Sequence, residues 1–234
     1  MTRVALVTGA NGGIGQALVA RLAAADVAVG ALDRNPAVTT LGASLGDAAR
    51  LHPVVVDLTD VEATEAAVAE VVDALGPIDI LVNNAGVMHK KSLPEHSLDD
   101  WELEMAVNAR AAFVLCRAVV PAMAARGDGI VVNVASIWSS RGGPDRVAYV
   151  AAKHAVLGLT RALAAEYGPA GVRINAISPG PVRTPMTAHL GGDQSSWLAP
   201  EEIADAIVFL CSDGSRGTWG ENVEVLGRGR PAGL

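Results

Sequence analysis

Short, nearly unbroken apolar runs rich in valine and isoleucine alternate along this chain with longer Ala-rich segments whose apolar residues recur at helical spacing. The runs predict strands over 3–8, 27–32, 53–57, 78–83, 129–134, 171–177 and 222–226. The helix-period segments predict helices over 13–25, 60–75, 99–125, 146–167 and 200–212, with a weaker one over 41–50. A strand such as Ile78-Asp79-Ile80-Leu81-Val82 is apolar on both faces, as in a parallel sheet covered on both sides. Strand–helix alternation then implies a doubly wound α/β fold with right-handed crossovers and about seven strands. No Pro/Ser linker, charge block or repeat divides the chain, so residues 1–234 are expected to form a single domain. Two irregular stretches, 86–98 and 184–199, should overhang the carboxyl edge of the sheet, where open α/β folds bind ligands, and together with 137–147 they are the expected substrate loops.

Composition narrows the function. Half of the 234 residues are apolar but only 3% are aromatic, so the core must be built from Ala, Val, Leu and Ile. A net charge of −7 without a Lys/Arg-rich run supplies no electrostatic footprint for nucleic acid. Cys116 and Cys211 lie in apolar, helix-like stretches and read as buried reduced thiols. The first apolar run is too short for a signal-peptide core, and no run approaches the 18 residues of a membrane span. A soluble cytoplasmic protein is expected. The five histidines show no metal-ligand spacing, so no catalytic metal is expected; His89 reads as exposed rather than facing a substrate.

Candidate chemistry begins at Thr8-Gly9-Ala10-Asn11-Gly12-Gly13-Ile14-Gly15, between the first strand and the first helix. Glycines 9, 13 and 15 permit a tight turn, close backbone approach to a pyrophosphate and helix–sheet packing, while the helix N-terminus offers N–H groups to phosphates. The turn lacks the Gly-Lys-Ser/Thr ending of a nucleoside-triphosphate loop. Asp33 ends the second strand, where a carboxylate can accept from both ribose hydroxyls and repel a 2′-phosphate. This favours NAD over NADP, with Arg34 as the counter-signal. Asp57 closes the third strand as an acceptor for the adenine amino group or as a helix cap. Asn83-Asn84-Ala85-Gly86 ends the fourth strand and either braces the sheet edge beside the cofactor or forms a turn. Tyr149 and Lys153 sit four apart on one helix face, and an ammonium about 4 Å from the phenol would pull its pKa from ~10 toward neutrality. Alone, the pair also fits a tucked tyrosine beside a solvated lysine.

Taken together, the Thr8–Gly15 turn, Asn83-Asn84-Ala85-Gly86, Tyr149-(three residues)-Lys153 and Pro179-Gly180 occur in an order and spacing that resembles the classical short-chain dehydrogenase/reductase family. The resemblance covers essentially the whole chain. It implies a Rossmann-type domain and an oxidoreductase that transfers hydride between NAD(H) and a secondary alcohol or ketone. By resemblance, Ser136, thirteen residues before the tyrosine, orients the substrate oxygen and Tyr149 is the general acid/base. Lys153 lowers its pKa and grips the nicotinamide ribose, and Asn108 holds a water that relays protons to the lysine. Gly9, Asn11, Gly13, Ile14, Gly15, Asp33, Asp57, Asn84, Ala85 and Gly86 would contact the cofactor, as would Tyr149 and Lys153. Pro179, Gly180, Val182 and Thr184 would flank the nicotinamide.

Trp138, Met186 and Trp197 are candidates for an apolar substrate wall, with core or interface packing as the alternative for the tryptophans. The short 184–199 segment implies a small lid, and Leu226-Gly227-Arg228-Gly229 departs from the family's acidic-Gly-Gly ending. The resemblance also implies a homotetramer or homodimer packed through the helices over 99–125 and 146–167. An NADPH-dependent 3-oxoacyl-carrier-protein reductase shares the same catalytic residues and is the rival reading. A catalytically silent nucleotide-sensing protein is disfavoured by the complete residue set.

Overall fold

The computed structural model describes residues 2–45, 50–190 and 194–227. Strands β1 (Val4–Thr8), β2 (Ala28–Asp33), β3 (Leu51–Val55), β4 (Ile80–Asn83), β5 (Gly129–Val134), β6 (Val172–Pro179) and β7 (Asn222–Val225) form one parallel sheet in the order β3-β2-β1-β4-β5-β6-β7. The order reverses between β1 and β4, which creates the crevice at the carboxyl edge where doubly wound sheets take ligands. Helices α1 (Gly13–Ala24) and α6 (Pro200–Leu210) cover one face. Helices α2 (Val61–Leu75) and α4 (Ala111–Arg126) pack with a second core on the other, beside α5 (Val147–Tyr167). Every residue of β1, β4, β5 and β6 is buried, which is why their runs lack alternation.

Three expected elements differ in the structure. The third strand starts at Leu51, before the expected 53, because it lies on the sheet edge, where Pro53 removes no ladder hydrogen bond that the sheet needs. Instead of a helix over 41–50, a 3₁₀ helix runs over Pro36–Ser44 and the rest of that segment (46–49) lies outside the described residues. Asn35 caps the Ala37 N–H, Pro36 takes the first position, and the Thr39 and Thr40 hydroxyls bond the carbonyls of Pro36 and Ala37.

The third difference bears on function. The segment expected as one helix over 99–125 is α3 (Leu98–Met105), a π turn (Ala106–Arg110) and then α4. Within the turn, the Asn108 side-chain amide donates to the Glu104 carbonyl at 2.9 Å and replaces part of the regular backbone ladder. No helix among the described residues is long and apolar enough to cross a membrane.

Candidate active site

A cleft of about 960 Å³ opens along the carboxyl edge over the β1/β4 reversal. Most of the expected cofactor residues line it, from Gly9, Asn11, Gly13 and Ile14 through Asp33, Asp57 and Asn84–Gly86 to Pro179, Gly180, Val182 and Thr184. Tyr149, Lys153, Ser136, Trp138, Met186 and Trp197 line the same space. Gly15 and Asn108 do not reach the wall and act from behind it.

The glycine turn is fixed by sterics. Gly9 has φ +63°, and a Cβ there would lie 2.8 Å from the Ala85 Cα. A Cβ on Gly15 would lie 2.0 Å from the Gly9 carbonyl oxygen, so only glycine closes this turn. A Cβ on Gly13 would meet the Thr184 Cγ2 at 2.9 Å; this glycine makes room for the loop after β6 as well as for a ligand. Helix α1 then begins on Gly12 with no side-chain cap and no acidic residue in its first turn. Its leading N–H groups and dipole are left for an anion, which fits the pyrophosphate of a dinucleotide. Asn84 braces the turn by donating to the carbonyls of Thr8 and Gly9 at 2.9 and 3.1 Å. The Thr8 hydroxyl accepts from the Asn84 and Ala85 N–H groups. Asn83 instead points into the sheet and donates to Asn133 Oδ1 at 2.8 Å.

Asp33 is half-buried, and its two oxygens accept from the N–H groups of Asn11 and Asn35, each at 2.9 Å. Those bonds tie the second strand to the glycine turn and aim the carboxylate at the cleft. Asp57 accepts from the Thr59 N–H at 2.9 Å, and that bond, aided by the charge of Arg34, holds its pKa below the usual carboxylate value. The cap of α2 is Asp60, so Asp57 remains available to a ligand.

At the other end of the cleft, Ser136 follows β5 and its hydroxyl accepts from the Trp138 N–H at 3.2 Å. Tyr149 and Lys153, on the first two turns of α5, are both buried. The Lys153 Nζ lies 5.7 Å from the Tyr149 ring centroid and donates to the Val134 carbonyl at 2.9 Å. Here the electrostatic expectation is corrected. Burial pushes the Tyr149 phenol above its ordinary value, opposed by its hydrogen bond with Ser136, raised further by the charge of Glu104 and opposed by that of Arg146. Burial also lowers Lys153 to about 8. The lysine lies over the ring and bonds a backbone carbonyl, not the phenol oxygen, and desolvation acts against both charged forms.

Asn108 clamps the loop that follows β4. Its Nδ2 donates to the Val87 carbonyl at 2.9 Å and its Oδ1 accepts the Val87 N–H at 3.2 Å. Both N–H donors are therefore engaged by protein, and only Oδ1 keeps acceptor capacity for a water. Gly86 is required beside it, because a Cβ there would lie 2.9 Å from Asn108 Oδ1.

The structure adds residues that the sequence reading missed. Glu104 is fully buried, and its Oε1 accepts from both the backbone N–H and the ring Nδ1 of His89, at 2.5 and 3.0 Å. Burial raises its pKa. His89 is thus half-buried and bound to Glu104 instead of exposed, and it does not line the cleft. The signal was spacing: Glu104 is four residues before Asn108 and must share its inward face. Arg146 and Lys90 also line the cleft. The 184–199 loop is pinned at its base by Val182 and Leu198, with the Arg183 N–H on the Leu198 carbonyl at 2.9 Å. Met186 and Trp197 stand on its two limbs; residues 191–193 lie outside the described residues. Both cysteines are buried free thiols, raised to about 12 by burial. Among the described residues, no group of three or more His, Cys, Asp or Glu side chains could hold a metal.

The family profile described as short chain dehydrogenase matches residues 3–195. The short-chain reductase protein NovJ of Streptomyces niveus is 38% identical over 97% of this chain and 94% of its own length. A 4-hydroxyisoleucine dehydrogenase solved with NADH superimposes with a TM-score of 0.90 at 31% identity, covering 100% of both chains. An actinorhodin polyketide ketoreductase variant solved with NADPH gives 0.90 at 30% identity over 97% and 96% of the two chains. A nicotinamide cofactor is common to these structures, and its phosphorylation state differs among them. The profile spans most of the domain and the relative nearly all of it, and the glycine turn and the Ser-Tyr-Lys group stand in one cleft; the chain belongs to the short-chain dehydrogenase family.

Proposed function

We propose that this protein oxidises a secondary alcohol or reduces the corresponding ketone, with NAD(H) preferred over NADP(H), and that Ser136, Tyr149, Lys153 and Asn108 carry the reaction. The convergence of Ser136, Tyr149 and Lys153 with the glycine turn and Asp33 in one cleft supports this reading above all else. When bound, the nicotinamide supplies the hydride acceptor or donor. Gly9, Gly13 and the α1 N-terminus would hold the pyrophosphate, Asp33 the adenosine ribose, and the Pro179–Thr184 loop the nicotinamide end. Ser136 and Tyr149 bind the substrate oxygen, and the phenol exchanges a proton with it. Lys153, held on the Val134 carbonyl, keeps a positive charge beside the phenol ring and would hydrogen-bond the ribose of a bound cofactor. Asn108 positions the 86–98 loop, and its Oδ1 can hold one relay water.

The NAD preference is supported by the pairing of charges. Asp33 faces the cleft and would repel a 2′-phosphate, while Arg34, on the same wall, also acts through its charge on Asp57. Assembly through α4 and α5 into a dimer or tetramer is consistent with the exposed Phe113 and Val147 on those helices. The test of the chemistry is Tyr149→Phe. It should bind cofactor normally and lose turnover by about 10²-fold or more, the typical contribution of a positioned acid/base. Near-full turnover by this variant on a confirmed substrate would refute the assignment.

A further inference from the structure

The charges in the cleft are unevenly spread. Its two carboxylates, Asp33 and Asp57, stand with Arg34 at the glycine-turn end, while only cations, Lys90, Arg146 and Lys153, line the end that holds Tyr149. Among the described residues no carboxylate lines that second end, although the chain carries a net charge of −7. Walls of one sign in a partly enclosed cleft focus potential and draw the opposite charge.

Arg146 is built as a receptor. Its guanidinium lies 4.8 Å from the centroid of the Trp138 ring. That indole fits because residue 143 is glycine, where a Cβ would stand 2.9 Å from the ring. Nε donates to the Pro144 carbonyl at 2.9 Å, which fixes the plane and leaves the terminal N–H groups of the fork without an acceptor among the described residues. No carboxylate pairs with it among those residues. A half-buried guanidinium, stacked and oriented three residues before Tyr149, presents the two-point edge that matches a carboxylate. Lys90 is brought alongside, since the Lys91 N–H bonds the Asp145 carbonyl at 2.9 Å and joins the two loops. Lys91 itself pairs with Asp100 at 2.7 Å, whereas Lys90 has no acidic partner among the described residues. Asp145, exposed and at φ +58°, turns the chain into α5 and places Arg146 at its head.

We infer that the substrate is a hydroxy or oxo acid, its carboxylate held by the Arg146 fork with Lys90 beside it and its apolar body set against Trp138, Met186 and Trp197. The inference rests on the oxidoreductase reading of the same cleft and adds the substrate class. A single planar fork and one lysine suit a monoanion better than a phosphate, whose three oxygens and greater charge call for more donors.

The test is calorimetric titration of the full chain, saturated with oxidised nicotinamide cofactor, with cyclohexanecarboxylate, cyclohexanecarboxamide and cyclohexyl phosphate. The acid should bind at least about 10-fold tighter than the amide, a gain typical of a charge-assisted pair, and more weakly as salt rises. Arg146→Gln should weaken the acid about 10- to 100-fold and leave the amide unchanged, and Arg146→Lys should restore part of the loss. Equal binding of acid and amide, absence of acid binding, a preference that survives Arg146→Gln, or tighter binding of the phosphate would overturn the assignment. The same titration on Tyr149→Phe should keep the preference for the acid. Failure of the acid assignment therefore leaves the catalytic reading standing, and turnover by Tyr149→Phe would remove the catalytic reading alone.

Discussion

Replacing Asp33 with asparagine should largely erase the discrimination between NADH and NADPH. In the native protein the carboxylate is fixed by two backbone N–H bonds of 2.9 Å and is half-buried at the cleft wall. A 2′-phosphate in the ribose site would stand about 4 Å from it, where two unit charges repel by about 1 kcal/mol in bulk water and about 4 kcal/mol at an effective dielectric of 20. The site lies between those limits, and a phosphate carries about 1.5 to 2 charges near neutrality, so a penalty of roughly 2 kcal/mol remains after Arg34 offsets part of it. That corresponds to about 30-fold in Kd. Asparagine keeps one acceptor oxygen and abolishes the charge. One of the Asn11 and Asn35 N–H groups loses its partner, at about 1 kcal/mol, but this weakens both cofactors alike. The ratio of dissociation constants is therefore the quantity to measure, by fluorescence titration of the reduced cofactors. The wild type should favour NADH by about 30-fold and Asp33→Asn by less than about threefold. Tighter NADPH binding by the wild type, or an unchanged ratio in the variant, would refute the reasoning.

Two further outcomes follow from the buried charges. Lys153 has a folded-state pKa of about 8 against 10.5 in the open chain, so between those values the unfolded state holds more protons and stability rises with pH. Below pH 8 the whole desolvation penalty is present; Lys153→Met should therefore stabilise the cofactor-free protein at pH 7 by up to about 3 kcal/mol, less the lost bond to the Val134 carbonyl. The gain in urea midpoint should shrink as pH approaches 10.5, and no gain at pH 7 would contradict this account. Glu104→Gln removes a negative charge that raises the Tyr149 pKa, so the acid limb of the oxidation profile, read as kcat/KM against pH, should move to lower pH. An unmoved limb would show that Glu104 only supports the loop.

How much of this was legible in the sequence depends on whether a signal is local. The central strands were plain because their runs are buried on both faces, and the glycine turn because its spacing has one steric solution. Strand β3 lies two residues earlier than the expected 53–57, because its register is set by pairing with β2 along the sheet edge, where Pro53 is tolerated. The π turn left no mark in the apolar period, since it inserts one residue into an otherwise continuous helix pattern. Glu104 carried a usable signal, the shared face with Asn108, that composition alone disguised as an ordinary helix charge. Arg146 carried none: a cation at the head of a helix reads as solvated, and only the stack on Trp138 shows otherwise.

The Tyr149–Lys153 spacing thus points to the proposed site without setting its proton energetics. From spacing alone, one ammonium beside one phenol implies a lowered pKa through their attraction. In the folded chain, burial opposes the charged form of both members, and the lysine bonds a strand carbonyl instead of the phenol. What moves the phenol back toward its anionic form is the Ser136 bond and the Arg146 charge, and what resists is Glu104. These groups come from three separate elements, the end of β5, the head of α5 and the buried face of α3, whose influences meet on one phenol. Of the three, Ser136 belongs to the family's pattern, whereas Glu104 and Arg146 lie outside it, so the two charges that act on the Tyr149 phenol come from outside the motif that singles it out.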